Sequence, residues 1–235
     1  VYLSWPIEPG RLPAFVDAAR LLNIRGCSIT IPHKIDIIPL LDKTSENVRE
    51  MGACNTLYRD GEKICGENTD VIGFTAPLRK RSLPPETRVL VLGAGGVSRA
   101  AIAGLRRLGL ANITLTNRRK ERAEALCNEF GLLCAPWEER GDVPADLIIN
   151  TTPLGMTGAQ EHETPYPRAF QDNGIAYDLI YTPFQTRFLR DAAAAGWETV
   201  SGLDMFIGQG DAQFHLWTGH HLPEEAITAV TSALY

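Results

Sequence analysis

The sequence predicts an α/β protein built from two domains, on three observations. Short apolar runs alternate with helical periodicity through most of the 235 residues, the pattern of strands joined by helices. The alternation breaks at Ser82-Leu83-Pro84-Pro85-Glu86-Thr87, because consecutive prolines continue neither a helix nor an interior strand. It then restarts on Arg88–Leu92, an apolar run of the kind that burial on both faces of a parallel sheet demands.

In the first domain Val1–Ile7 reads as a strand, broken by Glu8-Pro9-Gly10. A helix follows over Leu12–Leu22, where Ala14, Phe15, Ala18, Ala19 and Leu22 recur at helical spacing and form one apolar face. Cys27–Ile31 is a β-branched run stopped by Pro32, and a short helix is expected over Ile35–Leu41. Cys54–Tyr58 and Lys63–Glu67 flank Arg59-Asp60-Gly61-Glu62, whose Asp-Gly pair signals a hairpin. Val71–Lys80 reads as a helix leaving this domain.

Beyond the prolines come Gly93–Gly96, a helix from Val97 to Leu108, strand Ile113–Thr116 and helix Lys120–Phe130. Strands Leu147–Asn150 and Ile175–Leu179, helix Gln185–Ala195 and a short strand Glu198–Ser201 continue the series. Such alternation argues an open parallel sheet. The remainder, Leu203–Tyr235, is mostly helical.

Composition narrows the function class. With 44% hydrophobic and 22% charged residues the chain reads as an ordered globular protein. A net charge of −5 offers no basic surface for nucleic acid or an anionic membrane. Apolar runs stay strand-sized, well short of the roughly 18–20 residues that span a bilayer, and no signal peptide is recognisable. Five cysteines, an odd number without a Cys-x-x-Cys pair, suggest neither a disulfide framework nor a zinc site. A cytoplasmic enzyme is expected.

Val89-Leu90-Val91-Leu92-Gly93-Ala94-Gly95-Gly96-Val97-Ser98 is a strand, a glycine turn and a helix start. Gly93 permits the tight turn, Gly95 lets backbone approach a pyrophosphate, and the small Ser98 permits close helix–strand packing. The helix N-terminus adds free N–H groups and its positive dipole end. In this context the glycines indicate a dinucleotide site of Rossmann type. An NAD site places a carboxylate about 20 residues further on. Thr116-Asn117-Arg118-Arg119-Lys120-Glu121-Arg122 instead brings guanidiniums to the strand tip. Charge-assisted hydrogen bonds are worth roughly 1.5–3 kcal/mol each, so Arg118 and Arg122, four apart and on one face if the helix has begun, favour NADP. The alternative is a solvated basic helix start, which the helix dipole opposes.

Three polar clusters sit at strand ends of the first domain. Lys34 follows Ser28-Ile29-Thr30-Ile31-Pro32-His33, Asn55 lies in Gly52-Ala53-Cys54-Asn55-Thr56, and Asp70 ends Gly66-Glu67-Asn68-Thr69-Asp70. Singly they read as a surface lysine, a turn asparagine and a helix-capping aspartate. Together they fit ketone reduction, which needs hydride at carbon and a proton at oxygen. A lysine oriented by a carboxylate can carry that proton, and an asparagine amide suits hydroxyls of a polyol. Zinc would be the rival means of polarising a carbonyl, but no Cys/His cluster has metal spacing. His33 beside Lys34 is either a proton relay or a solvent-facing side chain. Phe206, Phe214 and Trp217 read as core, and His220-His221 as a loop.

In order, Thr30-Ile31-Pro32-His33-Lys34, Gly52-Ala53-Cys54-Asn55-Thr56, Asn68-Thr69-Asp70 and Gly93-Ala94-Gly95-Gly96 resemble the successive signatures of the shikimate dehydrogenase family. Asn117-Arg118-Arg119-Lys120-Glu121-Arg122 is similar to that family's NADP clamp. Asn150-Thr151-Thr152-Pro153-Leu154-Gly155-Met156 and Tyr177-Asp178-Leu179-Ile180-Tyr181-Thr182-Pro183 resemble its later loops, and Gly202-Leu203-Asp204-Met205 through Gly208-Gln209-Gly210 its returning segment. The resemblance implies NADP-dependent reduction of 3-dehydroshikimate to shikimate, with Lys34 and Asp70 catalytic. Thr30, Asn55, Gln209, Tyr181 and Ser28 would hold the substrate. Gly93, Ala94, Gly95, Gly96, Val97, Asn117, Arg118, Arg122, Thr151, Pro153, Gly202 and Met205 would bind the cofactor, with no metal. It further implies an N-terminal α/β substrate domain, 1–81 joined by returning helices 203–235, and a Rossmann-type NADP-binding domain, 82–202. A monomer or homodimer is expected.

Two departures accompany this. The family's Ser-x-Ser grip on the substrate carboxylate has no match, since Ser4 stands before Trp5-Pro6; a first strand and helix of about 30–40 residues are expected to be missing. Ser28 stands where many members carry asparagine. The competing readings are an NAD-using quinate/shikimate dehydrogenase, a non-catalytic NADP-binding relative, and a methylenetetrahydrofolate dehydrogenase with a lysine-based site. The arginine clamp opposes the first, and intact Lys34 and Asp70 the second. The Asn68-Thr69-Asp70 context fits the third poorly.

Overall fold

Two sheets organise the chain, one in each of two compact units. The first unit comprises Val1–Val71 with Gly210–Leu222, the second Ile72–Gln209 with Pro223–Tyr235. The computed structural model describes residues 2–30 and 32–234.

The first unit contains α1 (Leu12–Leu21), β1 (Gly26–Ser28), β2 (Lys43–Thr44), α2 (Glu46–Met51), β3 (Thr56–Asp60) and β4 (Lys63–Glu67). Its four strands lie in the order β1-β3-β4-β2. The hairpin forms as expected: β3 and β4 pair antiparallel, and Asp60 opposite Lys63 leaves Gly61-Glu62 as a two-residue turn. Leu12 and Val16 from α1 bury against Cys27, Leu57 and Ile64 from the sheet, with Ile37, Val48 and Cys54 completing the core.

The structure corrects three expectations here. Residues 2–7 form no strand; Pro6 has no N–H to donate, and the segment is held by side chains, with Trp5 packed 5.8 Å from the Phe15 ring. Val1 lies outside the described residues, as does Ile31 at the end of the second expected strand, which is shortened to Gly26–Ser28. The helix expected over Ile35–Leu41 is a series of turns ending in a single 3-10 turn, Ile38–Leu40, with Pro39 inside it, where a proline denies the helical ladder a donor. Sequence periodicity missed α2, only six residues long, which Ser45 caps by accepting the Val48 N–H at 3.2 Å.

In chain order the second unit follows with α3 (Asp70–Arg79), whose first two residues belong to the first unit, then β5 (Val89–Leu92), α4 (Gly96–Arg107), β6 (Ile113–Thr116), α5 (Lys120–Phe130) and β7 (Leu133–Cys134). Next come β8 (Leu147–Asn150), β9 (Ile175–Asp178), α6 (Arg187–Ala194), β10 (Glu198–Val200), α7 (Gly202–Thr218), whose residues from Gly210 onward belong to the first unit, and α8 (Glu224–Leu234). Six strands run parallel in the order β10-β9-β8-β5-β6-β7. Alternation along β5 and β8 serves two layers. Val89, Val91, Leu147 and Ile149 face a core with Ile102, Leu105 and Leu115. Leu90, Leu92 and Ile148 face another with Phe188, Leu189 and Trp197. The chain leaves β5 toward β6 on one side and later returns through β8 on the other. That makes the carboxyl ends of β5 and β8 the topological switch point, where an open α/β sheet binds ligands.

Candidate functional site

Lys34 and Asp70 form an ion pair, Nζ donating to Oδ2 at 2.7 Å, with both side chains largely shielded from solvent. Local backbone explains the placement. The Lys34 carbonyl accepts the Cys54 N–H at 2.7 Å, which ties the segment after β1 to the approach of β3. Asn68 accepts the Asp70 N–H at 3.1 Å and anchors itself by donating to the Ala53 carbonyl at 2.9 Å. Asp70 therefore opens α3 with its own carboxylate turned to the site: Lys34 takes one oxygen, and the Asn55 amide donates to the other at 2.8 Å.

Asn55 is buried and bonded throughout. Its Nδ2 also donates to Thr69 Oγ1 at 3.0 Å, while its Oδ1 accepts from the Thr69 N–H at 2.8 Å and the Thr56 hydroxyl at 2.7 Å. Ser28 donates at 2.7 Å to Gln213, a residue that sequence reasoning did not single out. Thr30 is exposed, and its carbonyl receives the His33 N–H. The His33 ring meets the Ile7 carbonyl through Nε2 at 2.7 Å, and its buried Nδ1 has no partner.

In the second unit one cavity of about 220 Å³ gathers most of the expected cofactor residues: Gly93, Ala94, Gly95, Asn117, Arg118, Arg122, Thr151 and Pro153 line it. Gly93 turns at φ 116°, and a Cβ there would meet Thr151 Oγ1 at 2.5 Å, so only glycine fits. Ser98 contributes more than small size: its hydroxyl accepts the Gly95 N–H at 2.9 Å and bonds Thr151 Oγ1 at 2.7 Å. Thr151 in turn donates to the Leu92 carbonyl at 2.8 Å. Asn117 braces the turn from the other side, accepting the Ala94 N–H at 3.2 Å. Gly96 and Val97 form the first turn of α4, where unpaired N–H groups favour an anion.

The arginine clamp has a different local form from the one expected. The helix begins at Lys120, so Arg118 sits in the preceding loop and Arg122 in the first turn; they meet around the cavity and not along a helical face. Arg119 joins them, and Trp137, which sequence reasoning also passed over, closes the wall. None of the ion pairs among the described residues involves Arg118, Arg119 or Arg122. Three uncompensated guanidiniums beside a glycine turn fit a dinucleotide carrying an additional phosphate.

The remaining expected residues cluster elsewhere in this unit. Tyr181 stacks on Phe206 with ring centroids 5.0 Å apart, and Gln209 donates to the Phe206 carbonyl at 3.2 Å. Phe206, expected in the core, is 38% exposed, because it packs on the half-exposed Tyr181 and not inside the sheet layers. Gly202 starts α7 where a Cβ would stand 2.5 Å from the carbonyls of Leu179 and Ile180; Met205 is buried one turn later. At the end of β9, burial pushes the Asp178 carboxyl up to about 7. Asn150, Thr186 and the Ile180 N–H all donate to it.

Comparison with known proteins agrees along the chain. Family models described as shikimate dehydrogenase substrate binding domain, shikimate/quinate 5-dehydrogenase and shikimate 5'-dehydrogenase C-terminal domain match residues 1–57, 78–139 and 202–230. A shikimate dehydrogenase (NADP(+)) of Pelobacter propionicus is 56% identical over 239 residues, covering 100% of this chain and 86% of the relative. Another, from Oleidesulfovibrio alaskensis, is 48% identical over 94% of this chain and 80% of its own length. The crystal structure of shikimate 5-dehydrogenase from Thermus thermophilus in complex with NADP(H) and shikimate superposes with a TM-score of 0.85 at 35% identity, covering 98% and 87% of the two chains.

Proposed function

The chain belongs to the shikimate dehydrogenase family, and from that premise we infer that it is an NADP-dependent oxidoreductase interconverting 3-dehydroshikimate and shikimate. The observation that carries the chemistry is the 2.7 Å pair of Lys34 and Asp70. The bound cofactor supplies or removes hydride at the substrate carbon. Lys34 delivers a proton from Nζ to the carbonyl oxygen as it becomes a hydroxyl, and retrieves it in the reverse direction. Asp70, held by Asn55 on its other oxygen, orients the lysine and balances its charge.

Thr30, Ser28, Asn55, Tyr181 and Gln209 are the proposed partners of the substrate's polar groups, drawn from 1–81 and 203–235 together with the loop after β9. Gly93 to Val97, Asn117, Arg118, Arg122, Thr151 and Pro153 would hold the dinucleotide phosphates, with Gly202 and Met205 nearer the nicotinamide. The switch-point cavity and its arginines support that assignment. The protein is proposed to act in the cytoplasm as a monomer or homodimer. Its five thiols, four of them buried, suit a reducing compartment.

The test is NADPH oxidation by the purified chain with 3-dehydroshikimate, followed by loss of nicotinamide absorbance, with NADH in parallel. Turnover with NADPH well above that with NADH is expected. No turnover would defeat the activity, and equal use of NADH would defeat the NADP assignment.

A further inference from the structure

We propose that Gln213 is a positioning residue of the Lys34–Asp70 site: acting through Thr56, it fixes the Asn55 amide that holds Asp70. The proposal rests on the catalytic reading above and deepens it.

Gln213 lies within α7 and is 5% exposed. A polar amide at that depth is costly unless bonded, and Gln213 is bonded at both ends. Its Oε1 accepts the Ser28 hydroxyl at 2.7 Å, and its Nε2 donates to Thr56 Oγ1 at 3.0 Å. Ser28 in turn accepts from the Tyr2 hydroxyl at 2.7 Å, which leaves the serine's own proton for Gln213. On the far side, Thr56 spends its proton on Asn55 Oδ1 at 2.7 Å, so only a donor can occupy its remaining face. The amide of Gln213 satisfies both neighbours in one orientation alone.

The consequence reaches Asp70. Asn55 is 3% exposed, and a half-turn of its amide would set an oxygen against the Asp70 carboxylate. Three donors hold the Asn55 oxygen in place: the Thr69 N–H at 2.8 Å, the Thr56 hydroxyl at 2.7 Å and, more distantly, the Thr69 hydroxyl at 3.2 Å. The second is directed by Gln213, since a donor on one side of Thr56 sends its proton to the other. Hydrogen bonds therefore run with one polarity from Gln213 through Thr56 and Asn55 to Asp70, whose other oxygen holds Lys34. A buried network satisfied at every member specifies one arrangement.

Leucine matches glutamine in bulk and lacks its polar atoms, so Gln213→Leu separates positioning from packing. In shikimate oxidation kcat should fall about tenfold, the equivalent of one net hydrogen bond lost at the transition state, while the KM for NADP stays unchanged. Thr56→Val should lose the same amount, Thr56→Ser should recover it, and Gln213→Leu with Thr56→Val should lose no more than either alone. Wild-type kcat in Gln213→Leu or Thr56→Val, or losses that multiply, would overturn the proposal. A readout without substrate separates its failure from failure of the catalytic reading. Hydrogen exchange at the Thr69 amide, which donates to Asn55, should accelerate in Gln213→Leu; unchanged exchange there rejects the network whether or not the chain turns over shikimate. Should Gln213→Leu fail to fold, the Thr56→Val and Thr56→Ser pair carries both measurements and decides alike.

Discussion

Lys34 Nζ lies 2.7 Å from Asp70 Oδ2 although the two are 36 positions apart in the sequence, and the chain between them builds the scaffold that joins them. The β3–β4 hairpin ends at Glu67, three residues before Asp70. Glu67 then fixes that exit by accepting from Ser45, Asn47 and the Asn68 N–H, each at 2.7 Å. The pair is thus placed by backbone and buried polar groups, as a proton-transfer site on rigid elements requires.

Lys34→Ala tests that pair directly. Positioned acid–base groups contribute about 10²–10⁴-fold, so kcat for shikimate oxidation should drop within that range. NADP affinity, measured by titration calorimetry, should stay at the wild-type value because the switch-point cavity belongs to the second unit. Near-normal turnover would remove Lys34 as the proton donor.

Arg118→Ala tests the clamp. A charge-assisted bond worth roughly 1.5–3 kcal/mol corresponds to a loss of about 10- to 150-fold in NADP affinity, with NAD affinity little changed. Dissociation constants for both nucleotides give the comparison. Parallel losses would make the arginine a general anion contact and not a discriminator.

Much of this organisation was legible in the sequence, for physical reasons that differ by element. Strands β6 and β8 and helix α5 took their expected bounds because a buried parallel strand and a two-faced helix leave strong periodic signals. Strand β7 left none: it is two exposed residues on a sheet edge. Lys34, Asn55 and Asp70 were found by residue type at strand ends, and the structure brings all three together. Gln213 was invisible because a single polar residue in a helix has no period, and its partners lie more than 150 positions away. Trp137 follows Pro136 in a 3-10 turn, where nothing in the local pattern marks a cavity wall.

The cysteines make a separate prediction. Burial pushes the Cys27 and Cys54 thiols up to about 11. Burial, with Cys134 beside it, pushes Cys127 to about 12. At pH 8 such thiols are ionised to on the order of one part in a thousand or less, and the thiolate is the nucleophile. Cys134 is the one exposed thiol among the five. An aromatic disulfide reagent should therefore release about one equivalent rapidly from the native protein, and the full complement only after denaturation. Several fast equivalents would contradict the packing of the first unit.

Asp178 sets a pH dependence of stability. Burial raises its carboxyl from the ordinary 3.8 to about 7, against the opposing pull of the Thr186, Ile180 and Asn150 donors. The folded chain thus keeps a proton that the unfolded chain releases near 3.8. Between those values unfolding sheds a proton, so rising pH favours the unfolded state. The stabilisation is complete below about pH 4, is lost as pH climbs to about 7, and is absent above. At about 1.4 kcal/mol per pKa unit the difference is a few kcal/mol. Asp178→Asn removes the titration while keeping an oxygen for the Asn150 and Ile180 donors. Thermal melts of both proteins from pH 4 to 9 should show the variant gaining on wild type up to about pH 7 and by a constant margin beyond it. A margin independent of pH would mean that Asp178 is ionised in the folded protein throughout.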